Sequence, residues 1–156
     1  MTTWHKSLRT KFATAIRTRC SKDRCHIDLT GLRPPPIILD GEAYRDAGGC
    51  DGKICDYLIF PIRQEIVAVV AEMKSGSVDV SRAVEQLKGA ALHVDILAGK
   101  RNVKEFFPLI VSGNIRHASE VKALRGSRVQ FRGKSWDVIR ERCGARLDTI
   151  LTRFTI

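Results

Sequence analysis

Three side chains in this 156-residue chain have the types and spacing to handle a metal ion and a phosphate: Asp56, Glu72 and Lys74. Glu72-Met73-Lys74 closes the apolar run IVAVVAEMK, and Asp56 stands near the start of the run CDYLIFPI. Hydrolysis of a phosphodiester requires an activated water, neutralisation of an anionic transition state and stabilisation of a leaving oxygen. A hard divalent cation held by carboxylates beside the phosphate supplies much of this. Side chains alternate along a strand with period two, so Glu72 and Lys74 share a face while Met73 points away and keeps its carbonyl available as a ligand. Arg63-Gln64-Glu65 is a short polar connection, and the runs on either side of it read as a hairpin. Pairing Asp56-Tyr57-Leu58 antiparallel with Val70-Ala71-Glu72 sets Asp56 beside Glu72 at one sheet edge. The competing reading of each part is bland, because Glu-x-Lys is a common solvated pair and a strand-end Asp is commonplace. Their conjunction is what points to chemistry.

The elements that must position these groups follow from hydrophobic periodicity. Residues 4–19 carry Trp4, Leu8, Phe12 and Ile16 at four-residue intervals and read as a helix with a basic flank. Three prolines, Pro34 to Pro36, enforce an extended path into a short strand at 37–39. Residues 55–62 and 66–74 are strands, the second β-branched and apolar enough to be buried on both faces. Val80, Val84, Leu87, Ala91, Val94 and Ala98 form one stripe of a helix over 79–98, with Gly99 as its stop. A strand at 106–112, a helix at 117–125, a hairpin around residues 132–135 and a final helix at 147–154 complete the chain. This order predicts one α/β domain over residues 1–156, with a mixed sheet covered by helices on both faces.

Composition narrows the class. The net charge is +10, from 27 Lys plus Arg against 17 Asp plus Glu, which favours a polyanionic partner over a neutral one. A basic surface that serves only solubility is the alternative. No apolar stretch reaches the roughly 20 residues of a membrane span, and no apolar signal core follows the basic N-terminal stretch. A cytoplasmic protein is expected, with no membrane partner.

The run CDYLIF…IVAVVAEMKSG…VEQL resembles the PD-(D/E)XK phosphodiesterase superfamily, which includes restriction endonucleases and nuclease domains of recombination enzymes. The likeness spans residues 37–112, about half the chain. Asp56 matches the first acid, Glu72 the second, Lys74 the lysine, and Gln86 the glutamine many members carry on the following helix. Cys55 stands where the motif has proline. The resemblance implies a restriction endonuclease-like α/β/α core around a central mixed sheet, and Mg²⁺- or Mn²⁺-dependent cleavage of nucleic acid, with a DNA endonuclease as the leading reading and RNA left open. It implies that Asp56 and Glu72 hold the metal, helped by the Met73 carbonyl. Lys74 would orient water or stabilise phosphate charge, since acting as a base would need a strongly depressed pKa. Gln86 would contact substrate or position Lys74, or is an ordinary polar helix residue. Glu42 is a further candidate ligand, against a loop-cap or surface role for it and Asp40. Repair, restriction or defence, in a homodimer or larger complex, are implications of the same kind. A catalytically inactive nucleic-acid-binding or assembly subunit with this fold is the alternative.

Two further groups remain. Cys20-x4-Cys25 and Cys50-x4-Cys55 form matched pairs that could hold a structural Zn²⁺. Members of the resembled superfamily also bind iron–sulfur clusters through four cysteines at other spacings, and free cysteines are the plain alternative. A disulfide framework is not expected, and Cys143 is expected in the core. Arg116, Lys122, Arg125, Arg128, Arg132 and Lys134 make the C-terminal third basic, and could track a phosphate backbone or form a solvated face.

Overall fold

A computed structural model describes residues 1–48, 52–113 and 118–154. The nine-residue strand β6 (Ile66–Lys74) is the axis of the fold, and eight of its residues are buried. Its odd and even positions serve two cores. Ile66, Ala68 and Val70 face one layer, Val67, Val69, Ala71 and Met73 the other. The strands β1 (Ile16–Arg17), β4 (Ile37–Asp40), β5 (Tyr57–Phe60), β7 (Val103–Ser112) and β10 (Ile139–Arg142) join it in a six-stranded sheet of order β1-β4-β5-β6-β7-β10. The first three pairings are antiparallel, β6–β7 and β7–β10 parallel. The molecule is thus mixed α/β with a central mixed sheet flanked by helices.

One face is covered by α1 (Thr3–Lys11), α2 (Gly41–Asp46), α3 (Val80–Ala98), α4 (Ala118–Arg125) and the hairpin β8 (Arg128–Phe131)–β9 (Lys134–Asp137). The other is covered by the hairpin β2 (Cys20–Lys22)–β3 (Cys25–Ile27) and α5 (Leu147–Phe154). The parallel β6–β7 pair requires a crossover, and α3 provides it. Asp79 caps α3 by accepting from the Arg82 N–H, and Gly99 ends it with φ 60°. Trp4 of α1 donates its indole N–H to the Leu97 carbonyl at 2.9 Å, joining the two helices.

Several elements depart from expectation. The first helix stops at Lys11 rather than running to residue 19, because Ile16 and Arg17 pair with Leu39 and Ile38 of β4. The β-branched Thr10, Thr14, Ile16 and Thr18 weaken helix propensity enough for sheet pairing to win. Residues 20–27, to which hydrophobic periodicity assigned no element, form β2–β3. The hairpin expected around 132–135 is present, but its second run breaks at Val138. Residues 134–137 pair with β8, while 139–142 cross into the main sheet as β10. Among the described residues no helix is long and apolar enough to cross a membrane.

The cysteines also differ from expectation. Cys25 is bonded to Cys143 in a disulfide spanning 118 positions. Cys143 is therefore a cross-link partner rather than a core thiol. Cys20 packs in the core on one sheet face and Cys55 in the core on the other, so the two cannot share an ion. Burial pushes the Cys20 thiol up to about 12 and raises that of Cys55 as well, which keeps both protonated. Cys50 lies outside the described residues. The zinc set Cys20, Cys25, Cys50 and Cys55 is accordingly not assembled.

Candidate active site

The β5–β6 register pairs Tyr57 with Ala71 and Leu58 with Val70. Extending that register by one residue brings Asp56 to Glu72, as the hairpin reading expects. The contact is direct. The Asp56 N–H donates to Glu72 Oε1 at 3.2 Å, and the Met73 N–H donates to Asp56 Oδ2 at 2.7 Å. A residue's N–H and C=O leave an extended strand on the same side, so the Met73 carbonyl points to this edge too.

Asp56 is positioned by backbone rather than by its own strand. Its carbonyl accepts from the Gly41 N–H at 2.8 Å, at the start of α2. A Cβ at Gly41 would lie 1.9 Å from the Cys55 carbonyl oxygen, so only glycine permits this approach. Asp40 caps the same helix, accepting from the Ala43 N–H at 3.0 Å. Asp40 is thus the loop cap that the competing reading expected.

Glu72 is 1% exposed and sits against a second carboxylate. Burial, then the Asp56 charge and a hydrogen bond to Asp56, raise its pKa to about 8, against the opposing pull of Lys74 and Lys22. A like-charged pair held this way favours a shared proton or a cation. Lys74 is exposed at the strand end, on the face of Glu72, and its ammonium makes no hydrogen bond or ion pair among the described residues.

Sequence reasoning missed one participant. The β2–β3 hairpin delivers Lys22, whose ammonium forms an ion pair with Asp56 Oδ1. That bond, more than any other influence, holds the Lys22 ammonium above the ordinary lysine range. The hairpin is fixed by Tyr57, whose hydroxyl donates to the Ser21 carbonyl at 2.7 Å and accepts from the Ser21 N–H at 3.3 Å. The only local signal was the alternation Cys20-Ser21-Lys22 and Cys25-His26-Ile27 around a two-residue turn.

A cleft of about 380 Å³ opens on Asp56 and is walled by Lys22, Glu42, Arg45 and Gln86. Gln86 reaches it from α3 with its Oε1 buried and without a hydrogen-bond partner. Glu42 is exposed on the wall, and no three acid, histidine or cysteine side chains among the described residues converge as a ready cation cage. The donors that do converge are Asp56 and Glu72, with the Met73 carbonyl at the same edge. Two hard carboxylate oxygen donors and a carbonyl suit a partly hydrated Mg²⁺ or Mn²⁺.

The expected basic residues separate into two places. Lys122 and Arg125 lie on α4, Arg125 beside the strand ends of the site. Arg132 and Lys134 lie at the β8–β9 tip, where Arg132 binds Asp95 and the Gly99 and Arg101 carbonyls. That is the start of β7, roughly 25 Å from Lys74 at about 3.3 Å per residue along β6. Arg128 pairs with Asp137 at 3.1 Å, and Arg116 lies outside the described residues. Comparison of the chain with protein-family models, curated proteins and solved structures returns no match.

Proposed function

We propose that this chain is a metal-dependent nuclease of the PD-(D/E)XK type, hydrolysing phosphodiester bonds of nucleic acid, DNA in preference to RNA. The observation that carries the reading is the direct contact of Asp56 with Glu72 at a strand end, with Lys74 two residues on along the same face. An antiparallel hairpin bearing the acids, followed by a helix and a parallel strand, is the arrangement a restriction endonuclease-like core requires. In this reading Asp56, Glu72 and the Met73 carbonyl hold Mg²⁺ or Mn²⁺, which supplies Lewis acidity and a nucleophilic water. Lys74 neutralises charge on the phosphate. Gln86 offers an unused buried acceptor in the cleft for substrate or water.

The test is incubation of plasmid DNA and RNA with Mg²⁺ or Mn²⁺, comparing wild type with Asp56→Ala and Lys74→Ala. Cleavage by wild type that both variants lose is expected; no cleavage of any nucleic acid with either metal would sink the reading.

One observation favours a second reading, a binding or assembly subunit that does not cut. Lys22 already neutralises Asp56, and a carboxylate so paired is a poorer metal ligand. That reading predicts nucleic-acid binding without cleavage, unchanged by Glu72→Ala.

A further inference from the structure

Five arginines of this surface are spent on neighbouring acids: Arg17 on Asp40, Arg128 on Asp137, Arg132 on Asp95, Arg146 on Asp148 and Arg153 on Glu141. Three of the arginines outside such pairs gather in one place. Arg125, Arg140 and Arg142 converge on a concavity of about 560 Å³ between α4 and β10, whose described lining contains no acid. None of the three has an ion pair or side-chain hydrogen bond among the described residues, and Arg140 Nε is buried without a partner. Burying a guanidinium N–H unpaired is unfavourable unless an acceptor arrives.

Strand register places this cleft relative to the carboxylates. Lys74 of β6 is level with Ser112 of β7, and Ser112 with Arg142 of β10, all in parallel strands. Two strand spacings set Arg142 roughly 10 Å from Lys74, backbone to backbone. Ile139 packs in the core on the opposite face, so Arg140 and Arg142 alternate to the face that carries Glu72 and Lys74. Gly113, on the rim of the cleft, donates its N–H to the Lys74 carbonyl at 2.9 Å. A Cβ there would lie 2.1 Å from the Ser75 carbonyl oxygen, so the rim and the end of β6 are packed backbone to backbone.

We propose that the Arg125–Arg140–Arg142 cleft binds the sugar–phosphate backbone of nucleic acid beside the phosphate held at Asp56 and Glu72, an inference that rests on the nuclease reading. Guanidinium forks match phosphate oxygens in bidentate fashion. Three forks in one cleft suit consecutive phosphates rather than one. The apolar lining is aliphatic (Val121, Leu124, Val138), with no ring for base stacking, so recognition there is of backbone and is independent of sequence.

The test is fluorescence anisotropy of a labelled DNA duplex in EDTA between about 50 and 200 mM salt, with inorganic phosphate as competitor. Arg140→Gln/Arg142→Gln is expected to weaken binding about 10- to 100-fold and to reduce the slope of log K against log salt by about 2, the loss of two phosphate contacts. Arg125→Gln, on the exposed face of α4, should reduce it by about 1, a readout that does not depend on β10 folding intact. Arg132→Gln and Lys74→Ala should leave the slope within about 0.5 of wild type or, for Lys74, lower it by no more than one contact. Wild-type affinity and slope in both cleft variants would overturn the proposal, as would displacement of the duplex by millimolar inorganic phosphate, which would mark a single-anion site. The plasmid assay separates the two readings. Wild type that cuts while cleft variants bind normally overturns the cleft alone; wild type that never cuts while cleft variants lose binding overturns catalysis and leaves the cleft standing.

Discussion

The β2–β3 and β8–β9 hairpins both close through two residues of positive φ, Asp23 and Arg24 (50° and 67°) in one, Arg132 and Gly133 (48° and 79°) in the other. Such turns match the twist of the flanking strands. Each hairpin also presents a cation at its turn, Lys22 just before one and Arg132 within the other, and there the likeness ends. Arg132 turns inward to the scaffold, donating to Asp95 and to the Gly99 and Arg101 carbonyls at 2.5–2.6 Å. It sits at the C-terminus of α3, where a positive charge also complements the helix dipole. Lys22 instead reaches across to Asp56, just ahead of β5, a strand of another sheet. A basic residue's partner, rather than local charge density, separates a cation tied to the scaffold from one that reaches the candidate site.

The largest effect should come from Glu72, the acid that the first hairpin approaches and the second does not. Glu72→Gln should reduce cleavage by at least about 10²-fold, as loss of a group that holds transition-state charge does. It should also change the pH dependence of stability. A carboxyl whose folded pKa is raised to about 8 contributes stability that is present below its ordinary value and lost as pH rises through the folded one. Metal-free wild type should therefore lose melting temperature relative to Glu72→Gln between about pH 5 and 8, and Mn²⁺ should restore it in wild type alone. A constant difference across that range would remove the buried-acid account.

Lys22→Ala and Arg132→Ala set the two hairpins directly against each other. Loss of the Lys22 ammonium frees Asp56 Oδ1, so Mn²⁺ affinity measured by calorimetry should rise about tenfold, with little change in melting temperature. Arg132→Ala should leave Mn²⁺ affinity alone and destabilise by about 1–2 kcal/mol, or roughly 3–6 °C. Equal effects of the two on metal binding would erase the distinction. Gly41→Ala sharpens it from the Asp56 side: overpacking against the Cys55 carbonyl should cost about 1–3 kcal/mol and slow cleavage together. The smallest change is Tyr57→Phe, which unpins β2 at Ser21. A loss of about 1 kcal/mol by denaturant titration is expected, with the shift in Mn²⁺ affinity in the direction of Lys22→Ala.

What could be read from the chain was what local periodicity encodes. The apolar alternation of Ile66–Lys74, the stripe of α3 and the short link at Arg63-Gln64-Glu65 were sufficient to place Asp56 opposite Glu72 in the observed register. The Lys22 contact was not legible. Its turn uses Asp23 and Arg24 where glycine would have announced a left-handed pair, and its partner lies 34 residues away. The split of residues 134–142 into two strands was hidden for a related reason. Pairing of β10 with β7 is non-local, and nothing in Trp136-Asp137-Val138-Ile139 marks the change of sheet. The arginine cleft follows from that pairing, so Arg140 and Arg142 could not be separated in advance from Arg132 and Lys134.

The Cys25–Cys143 bond turns most of the chain into a covalent ring. Asp56, Glu72, Lys74 and Gln86 all lie on the ring, together with Arg125, Arg140 and Arg142, while Lys22 sits on the tail just before its closure. A single backbone cut anywhere between residues 26 and 142 therefore opens the ring without dividing the molecule. The pieces would migrate apart only once the bond is reduced. Closing a loop of this size also removes much of the freedom of the unfolded chain, worth about 4–5 kcal/mol in the chain-entropy account. The carboxylate pair, two acids that repel each other inside the protein, is thus built within the part of the chain that has least room to come undone.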